Sequence, residues 1–124
     1  DGLNDRIELE LHGSAQRLSA LITHGSTERL NLQLGAEVFA LIKASWVNLL
    51  PADSTPLHAE PNHLTGNVHS LEPGELESEL HLQLPGGAHL TAMLSNSQLS
   101  SRQLVSGEQV SVQINPEQII LCSV

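Results

Sequence analysis

The chain has 124 residues, a mass of 13.3 kDa and a formal net charge of −9 at pH 7. This length fits one domain or two very small ones, and no apolar run approaches the roughly 18 residues that a membrane-spanning helix needs. The excess of acidic residues argues against sequence-independent binding of nucleic acid, which requires a basic surface.

Alternation of apolar and polar residues predicts an all-β chain with two short helices. The first two strands form a hairpin, because Arg6–Leu11 (RIELEL) alternates strictly and Leu18–Thr23 (LSALIT) returns after a His-Gly-Ser turn. A short helix is expected over Ser26–Gly35, with Ser26 as its N-cap and Gly35 as its end. The remaining expected elements are strands at Glu37–Lys43, Trp46–Leu50, Leu64–Ser70, Glu77–Leu84, Leu90–Ser95, Val110–Ile114 and Gln118–Leu121, and a helix at Leu99–Leu104.

The second half of the chain repeats the first. From Leu18 to Leu50 the second copy follows at a constant offset of 72 residues, which pairs Ala20 with Ala92 and Gly35 with Gly107. We therefore predict two tandem OB-like barrels, each with a short helix. The first repeat covers residues 1–50, a linker rich in proline and polar residues covers 51–61, and the second repeat covers 62–124.

The first repeat lacks its opening strand, because it has no counterpart of Leu64–Ser70. Such a strand is either cut away or supplied by a neighbouring chain. The segment VFALI (residues 38–42) is also unusual, since Phe39 and Leu41 make a second apolar face on a strand that is already apolar on the other. One face belongs to the core. We predict that the other face, with Phe39, Leu41 and the nearby Trp46, forms a dimer interface.

Residue types that carry enzyme chemistry are present without the spacing that such chemistry needs. The seven histidines include no His-x-x-x-His pair for zinc, and no Gly-x-Ser-x-Gly elbow surrounds a serine. The single cysteine, Cys122, excludes an intrachain disulfide and a cysteine-based zinc cage. We expect no enzyme activity and no metal centre. With one cysteine and no secretory signal peptide at the start of the sequence, we expect a cytoplasmic protein.

Several segments resemble the tandem molybdate-binding (Mop, also called TOBE) domains of bacterial molybdate proteins. In the first repeat they are Ala20–Ser26 (ALITHGS), Leu30–Gly35 and Ala40–Val47 (ALIKASWV); in the second they are Leu64-Thr65-Gly66, Leu84-Pro85-Gly86-Gly87 and Ile119–Cys122. The similarity covers nearly the whole chain. It is closest to the C-terminal half of the molybdate-responsive transcription regulators of the ModE type, whose N-terminal winged helix-turn-helix has no counterpart here.

The resemblance implies a molybdate sensor, with tungstate as a further possible ligand, that binds its oxyanion without catalysis. The family pattern is a Thr-x-x-Ser after one strand and a Lys-Ala-Ser corner after the next. It implies that the ligand is held by Thr23, Ser26, Lys43, Ala44 and Ser45. Hydroxyls, one ammonium and backbone N–H groups are the donors that a tetrahedral dianion needs. Thr23 and Lys43 end two strands of one repeat, so we expect them to lie close together.

The same residues also have ordinary structural interpretations. A Thr-x-x-Ser before a helix is most often a helix cap, and a single lysine at a strand end is usually a solvated surface residue. Relatives also open each ligand-competent repeat with Ser-Ala-Arg-Asn, whereas the second repeat has Glu60-Pro61-Asn62-His63 there and the first repeat has no equivalent. In the family the site lies at a dimer interface, so the residues present would form one wall of it.

The resemblance also implies partners. We expect a homodimer that has no direct contact with nucleic acid or membrane and that reaches DNA through an upstream domain if the parent protein is a regulator. Two alternatives remain open, a structural or regulatory TOBE module of a transporter ATPase and an intracellular molybdate-storage protein.

Overall fold

The computed structural model describes residues 3–13, 16–51, 62–100 and 103–124. These residues form nine strands, two short α-helices and two 3₁₀ turns. The strands are β1 (Asn4–Glu10), β2 (Arg17–Thr23), β3 (Val38–Leu41), β4 (Val47–Leu49), β5 (His63–Glu72), β6 (Glu77–Gln83), β7 (His89–Ser95), β8 (Gln109–Ile114) and β9 (Ile120–Ser123). The helices are α1 (His24–Arg29) and α2 (Asn96–Ser100), and the first and second 3₁₀ turns span Ala44–Trp46 and Pro116–Gln118.

The predicted all-β fold with one short helix in each repeat is confirmed, and every predicted strand begins and ends within two residues of the observed one. All but the first residue of the predicted linker lies outside the described residues. In the part of the chain that is described, no helix is long and apolar enough to cross a bilayer.

The predicted bounds of both helices are wrong. The first helix begins at His24, and its N-cap is Thr23 rather than Ser26. Thr23 ends β2 with extended backbone (φ −70°, ψ 150°), which is the conformation that an N-cap requires, whereas Ser26 already lies in the first helical turn. The helix ends at Arg29, and Asn31 soon follows in the left-handed region (φ 51°), so the chain does not stay helical as far as Gly35. The second helix ends at Ser100 instead of continuing to Leu104.

The two repeats exchange their last strands. A five-stranded sheet has the order β4-β8-β5-β6-β7, in which β4 comes from the first repeat and the other four strands come from the second. In return, β9 of the second repeat pairs with β3 of the first, and β1 pairs with β2 in a hairpin. All these pairs are antiparallel. The domain bounds at residues 1–50 and 62–124 therefore stay a prediction. They describe repeats in the sequence, whereas two of the three sheets combine strands from both repeats.

Equivalent parts of the two repeats are built alike. The backbone N–H of His24 donates to the Leu3 carbonyl and that of Asn96 donates to the Leu76 carbonyl, both at 2.9 Å. The turns of the two hairpins also meet, because Gly13 and Gly86 approach so closely that a Cβ on Gly86 would lie 2.4 Å from the Gly13 carbonyl oxygen. The repeats are thus related by approximate two-fold symmetry, and these two glycines lie near its axis.

One core serves both repeats. Along β6, Ser78, Leu80 and Leu82 are buried and alternate with more exposed residues, as the sequence pattern predicts. The same core contains Leu18 and Ala20 of β2 and Val47 of β4. These aliphatic side chains fill the space that aromatic residues often occupy in other proteins.

A buried asparagine joins the two repeats across this core. Asn62 is 4% exposed, and its side-chain oxygen accepts from the Ser19 N–H at 2.6 Å while its Nδ2 donates to the Ser19 carbonyl at 2.8 Å. Both ends of the amide are satisfied, which burial of an amide requires.

Candidate functional site

The Thr-x-x-Ser segment caps α1. Thr23 Oγ1 accepts from the Ser26 N–H at 3.2 Å and lies 2.9 Å from Ser26 Oγ. Arg29 Nη2 donates to Ser26 Oγ at 2.9 Å. The cap and the guanidinium therefore form one hydrogen-bonded group at the start of the helix.

Arg29 is the residue of this group that the sequence analysis missed. It lies three residues after Ser26, and this spacing places both side chains on the same face of a helix. A guanidinium binds oxyanions well because it offers several N–H donors in one plane. The predicted helix already includes residue 29, so this spacing could have indicated Arg29 from the sequence alone.

Thr23, Ser26 and Arg29 line a groove of about 670 Å³ between the start of α1 and the second 3₁₀ turn. Its opposite side includes Glu117 and the apolar residues that follow it. A carboxylate in the same groove opposes binding of an anion there within a single chain.

Lys43, Ala44 and Ser45 form the first 3₁₀ turn and its entry. Lys43 and Ser45 are exposed, and Lys43 Nζ lies 5.2 Å from the centre of the Trp46 ring, within the range of a cation–π contact. No side chain caps the N–H groups at the start of this turn. The ammonium is therefore accessible, and the N-cap side chain leaves the N–H groups of this turn uncapped.

The second 3₁₀ turn, at the equivalent place in the other repeat, is closed to anions. Asn115 replaces Lys43, and its side-chain oxygen accepts from the Glu117 N–H at 2.9 Å. Pro116 has no N–H, and Glu117 adds a negative charge. Of the two turns, only the first offers a cation and uncapped N–H groups.

The single chain places the predicted ligand residues in two separate groups. The first 3₁₀ turn packs beside β7, whereas the second packs beside β2, the strand that Thr23 ends. The groove lined by Thr23 and Ser26 has no contribution from Lys43 or its two neighbours. The reason is the exchange of last strands, which carries each turn over to the helix start of the other repeat.

An apolar patch covers the outer face of the β3–β9 pair. Phe39, Leu41 and Ile120 are 58%, 53% and 51% exposed. Leu41 pairs with Ile120 and Phe39 with Cys122, so these side chains share one face. The predicted second apolar face therefore exists and is open. Trp46 is half-buried beside Lys43, and its predicted place in a dimer interface stays a prediction.

Among the described residues, one group of side chains has the composition of a metal site. Ligand atoms of Glu72, Glu79 and His81 all lie within 4.8 Å of one another. His81 Nε2 is 3.4 Å from Glu79 Oε2 and 3.7 Å from Glu72 Oε1. Both carboxylates are substantially exposed, and exposed acidic side chains often lie together without a bound ion, so this group is not a candidate site.

His24 is held between two carboxylates next to Thr23. Its Nδ1 lies 2.8 Å from Asp5 Oδ2 and its Nε2 lies 3.1 Å from Glu28 Oε1. The hydrogen bond and charge of Asp5, followed by the charge of Glu28, raise the pKa of His24. Hydrogen bonds from Thr27 and then from His24 lower the pKa of Asp5.

These shifts predict a pH-dependent stability. Because the pKa of His24 is raised on folding, its contribution is complete below the ordinary value of 6.5 and is lost as the pH rises through the folded pKa. We expect the melting temperature to fall slightly between pH 6 and pH 9, and this fall to shrink in His24→Gln. Differential scanning calorimetry of both proteins measures it. If the melting temperature of His24→Gln falls by the same amount, the titration of other groups causes the fall.

Comparison with known proteins finds one matching family model and several curated relatives. A profile of the TOBE domain matches residues 1–49 and 59–121. The transcriptional regulator ModE of Yersinia pestis is 39% identical over 121 residues, which are 98% of this chain and 46% of the relative. The molybdenum-pterin-binding protein MopA of Rhodobacter capsulatus is 31% identical over 119 residues, which are 96% of this chain and 44% of the relative. The chain thus spans about half the length of these curated relatives.

A solved structure has the same fold. It is the cytoplasmic molybdate-binding protein ModG with molybdate bound, which superposes with a TM-score of 0.90 at 31% sequence identity. The match covers 100% of this chain and 87% of that chain.

Proposed function

This chain belongs to the TOBE domain family, and from that premise we propose that it binds molybdate, reversibly and without catalysis. The observation that carries the proposal is the contrast between the two 3₁₀ turns. Lys43 and the uncapped N–H groups of the first turn offer charge and donors to an oxyanion, whereas Asn115, Pro116 and Glu117 withhold them in the second. Tungstate has the same charge and shape and is expected to compete.

We further propose that the site is completed by a second copy of the chain. Within one chain, the groove with Thr23, Ser26 and Arg29 lies apart from the turn with Lys43 and Ser45. Each of these two groups supplies only some of the hydrogen-bond donors that surround a tetrahedral anion. A homodimer that covers the apolar patch of β3 and β9 would bring in the missing donors. Phe39, Leu41 and Ile120 supply the apolar area for such a contact.

In a longer parent protein this domain would act as the molybdate sensor of a cytoplasmic transcription regulator. The similarity to ModE supports this role. Nucleic acid would be contacted by a part of the parent outside this chain, because the chain carries a net charge of −9. A second candidate is a molybdate-storage protein without a DNA-binding part, which the match to 87% of the ModG chain favours.

Equilibrium dialysis tests the binding itself. The chain is dialysed against molybdate, with molybdenum counted by elemental analysis, in the absence and presence of a tenfold excess of sulfate. We expect saturable uptake that tungstate abolishes and sulfate leaves nearly unchanged. No uptake, or equal displacement by sulfate, would contradict the proposal.

A mixing experiment tests whether the site is shared between chains. Lys43→Ala and the double variant Thr23→Val/Ser26→Ala are each expected to bind molybdate poorly. If each site combines Lys43 of one chain with Thr23 and Ser26 of its partner, mixing the two variants forms hybrid dimers with one intact site. We therefore expect mixing and re-equilibration to restore up to half of the parent's uptake in the hybrids. No recovery, in a mixture that native mass spectrometry shows to contain hybrids, would place each site within one chain.

A further inference from the structure

The first 3₁₀ turn brings the side chains of Lys43 and Trp46 together. The Trp46 N–H donates to the Lys43 carbonyl at 2.9 Å and closes the turn. This bond joins residues three apart, a spacing that brings the side chains of a 3₁₀ helix into line with one another. The local backbone thus accounts for the position of Lys43 Nζ, 5.2 Å from the centre of the Trp46 ring.

The second 3₁₀ turn has the same backbone without either side chain. The Gln118 N–H donates to the Asn115 carbonyl, also at 2.9 Å. The residues that precede the two turns have similar dihedral angles, with φ −65° and ψ 137° at Lys43 and φ −67° and ψ 128° at Asn115. At the offset of 72 residues, Asn115 stands in place of Lys43 and Gln118 in place of Trp46. The backbone of the turn therefore does not require an indole, and the repeat that lacks the cation also lacks the ring.

The ring restrains the ammonium of Lys43. Lys43 is exposed and Trp46 is half-buried. Among the described residues, no carboxylate pairs with Lys43 and no side chain accepts a hydrogen bond from it, which leaves the ring face as the feature that holds the charged end in place. A long, flexible side chain loses rotamer freedom when it binds a ligand, and a contact that is formed beforehand reduces this cost.

We propose that Trp46 is a positioning residue of the molybdate site, because its ring holds the Lys43 ammonium at the first 3₁₀ turn and so raises the affinity for the oxyanion. The inference rests on the proposed function, since the anion is the ligand that benefits from a restrained ammonium. It does not depend on the predicted place of Trp46 in a dimer interface, because the contact lies within one chain.

Nuclear magnetic resonance tests the contact in the absence of molybdate. The sequence has one lysine and one tryptophan, so a chain that carries isotope-labelled lysine gives a single set of lysine side-chain signals. Protons that lie over the face of an indole are shifted upfield by its ring current. We expect the ε-methylene protons of Lys43 to be shifted upfield in the unmodified chain and to return to ordinary lysine values in Trp46→Leu. An ordinary shift in the unmodified chain would overturn the proposal.

Equilibrium dialysis against molybdate measures the effect of the contact on binding. We expect Trp46→Leu to weaken binding about two- to fivefold, which is the range that a cation–π contact at an exposed site supplies. Trp46→Phe keeps an aromatic face that attracts a cation less strongly, so we expect an intermediate affinity. Circular dichroism checks that each variant is folded.

A double-mutant cycle separates positioning of the ammonium from support of the fold. In a Lys43→Ala background the ring has no ammonium to hold, so we expect Trp46→Leu to leave the remaining affinity unchanged when it is measured at higher molybdate concentrations. An equal loss in that background, no loss when Lys43 is present, or tighter binding by Trp46→Leu would overturn the proposal. Failure of the proposed function is distinct, because it would appear as no uptake by the unmodified chain and would overturn this inference with it.

Discussion

Lys43→Ala is expected to weaken molybdate binding by about 10- to 100-fold while leaving the fold intact. A hydrogen bond to a charged group contributes about 1.5–3 kcal/mol, which corresponds to that range of dissociation constants. Lys43 is exposed and its ammonium lies over the Trp46 ring, so the loss of its side chain costs the fold little. Dialysis against molybdate measures the affinity, and circular dichroism checks the fold. Trp46 fluorescence is a poor measure here, because the substitution itself changes the surroundings of the indole.

The matched control for this substitution is Arg17→Ala. Arg17 is also an exposed cation, its ion pair with Glu10 spans 3.4 Å, and its removal changes the net charge by the same amount. If Lys43 acts as a local ligand, Arg17→Ala binds molybdate nearly as well as the parent. Equal losses in the two variants would show that the anion responds to the overall field of the protein and not to a site at Lys43.

Gly86→Ala is expected to destabilise the protein by about 2–4 kcal/mol, the range of severe single substitutions. Gly86 has a φ of +91°, and a Cβ there would lie 2.4 Å from the Gly13 carbonyl oxygen and 2.9 Å from that of His12. Relief of that contact requires the two hairpins to separate. Urea unfolding measures the change in the free energy of unfolding.

Gly87→Ala separates the two causes of this loss. Gly87 also has a positive φ, of +94°, but apart from its chain neighbours no atom of the described residues lies within 4 Å of a Cβ there. It therefore reports only the cost of a left-handed backbone at a non-glycine residue, about 1–2 kcal/mol. Equal losses in Gly86→Ala and Gly87→Ala would refute the importance of the contact between the hairpins.

Local structure was largely predictable because local patterns determine it. The strict alternation in RIELEL and ESELHLQL predicts β1 and β6, and the internal offset identifies the two hairpins as equivalents. The helix N-cap was misplaced by three residues, because Thr23 and Ser26 are both good N-caps and only the backbone at the end of β2 decides between them. Arg29 lies within both the predicted and the observed helix, and it was missed because the family pattern of Thr-x-x-Ser and Lys-Ala-Ser does not include it.

The exchange of strands between the repeats was not predictable from one sequence. Pairing of β3 with β9 joins residues about 80 positions apart, and no local pattern distinguishes it from pairing within a repeat. This exchange also separates the two groups of predicted ligand residues, since it moves the turn at Lys43 away from the end of β2 and towards β7. The sequence thus indicated which residue types form the candidate site. Where these residues lie on the surface depends on the pairing of strands that are far apart in the sequence.

The most direct test of the account is a crystal of the chain grown with molybdate, with data collected at the molybdenum absorption edge. The anomalous signal locates the metal atom without reference to the protein. We expect a peak within hydrogen-bonding reach of Lys43 Nζ and the Ser45 N–H through the molybdate oxygens, with hydroxyls of a second chain on the other side. A peak at the second 3₁₀ turn beside Glu117, or no ordered peak from crystals soaked in excess molybdate, would contradict it.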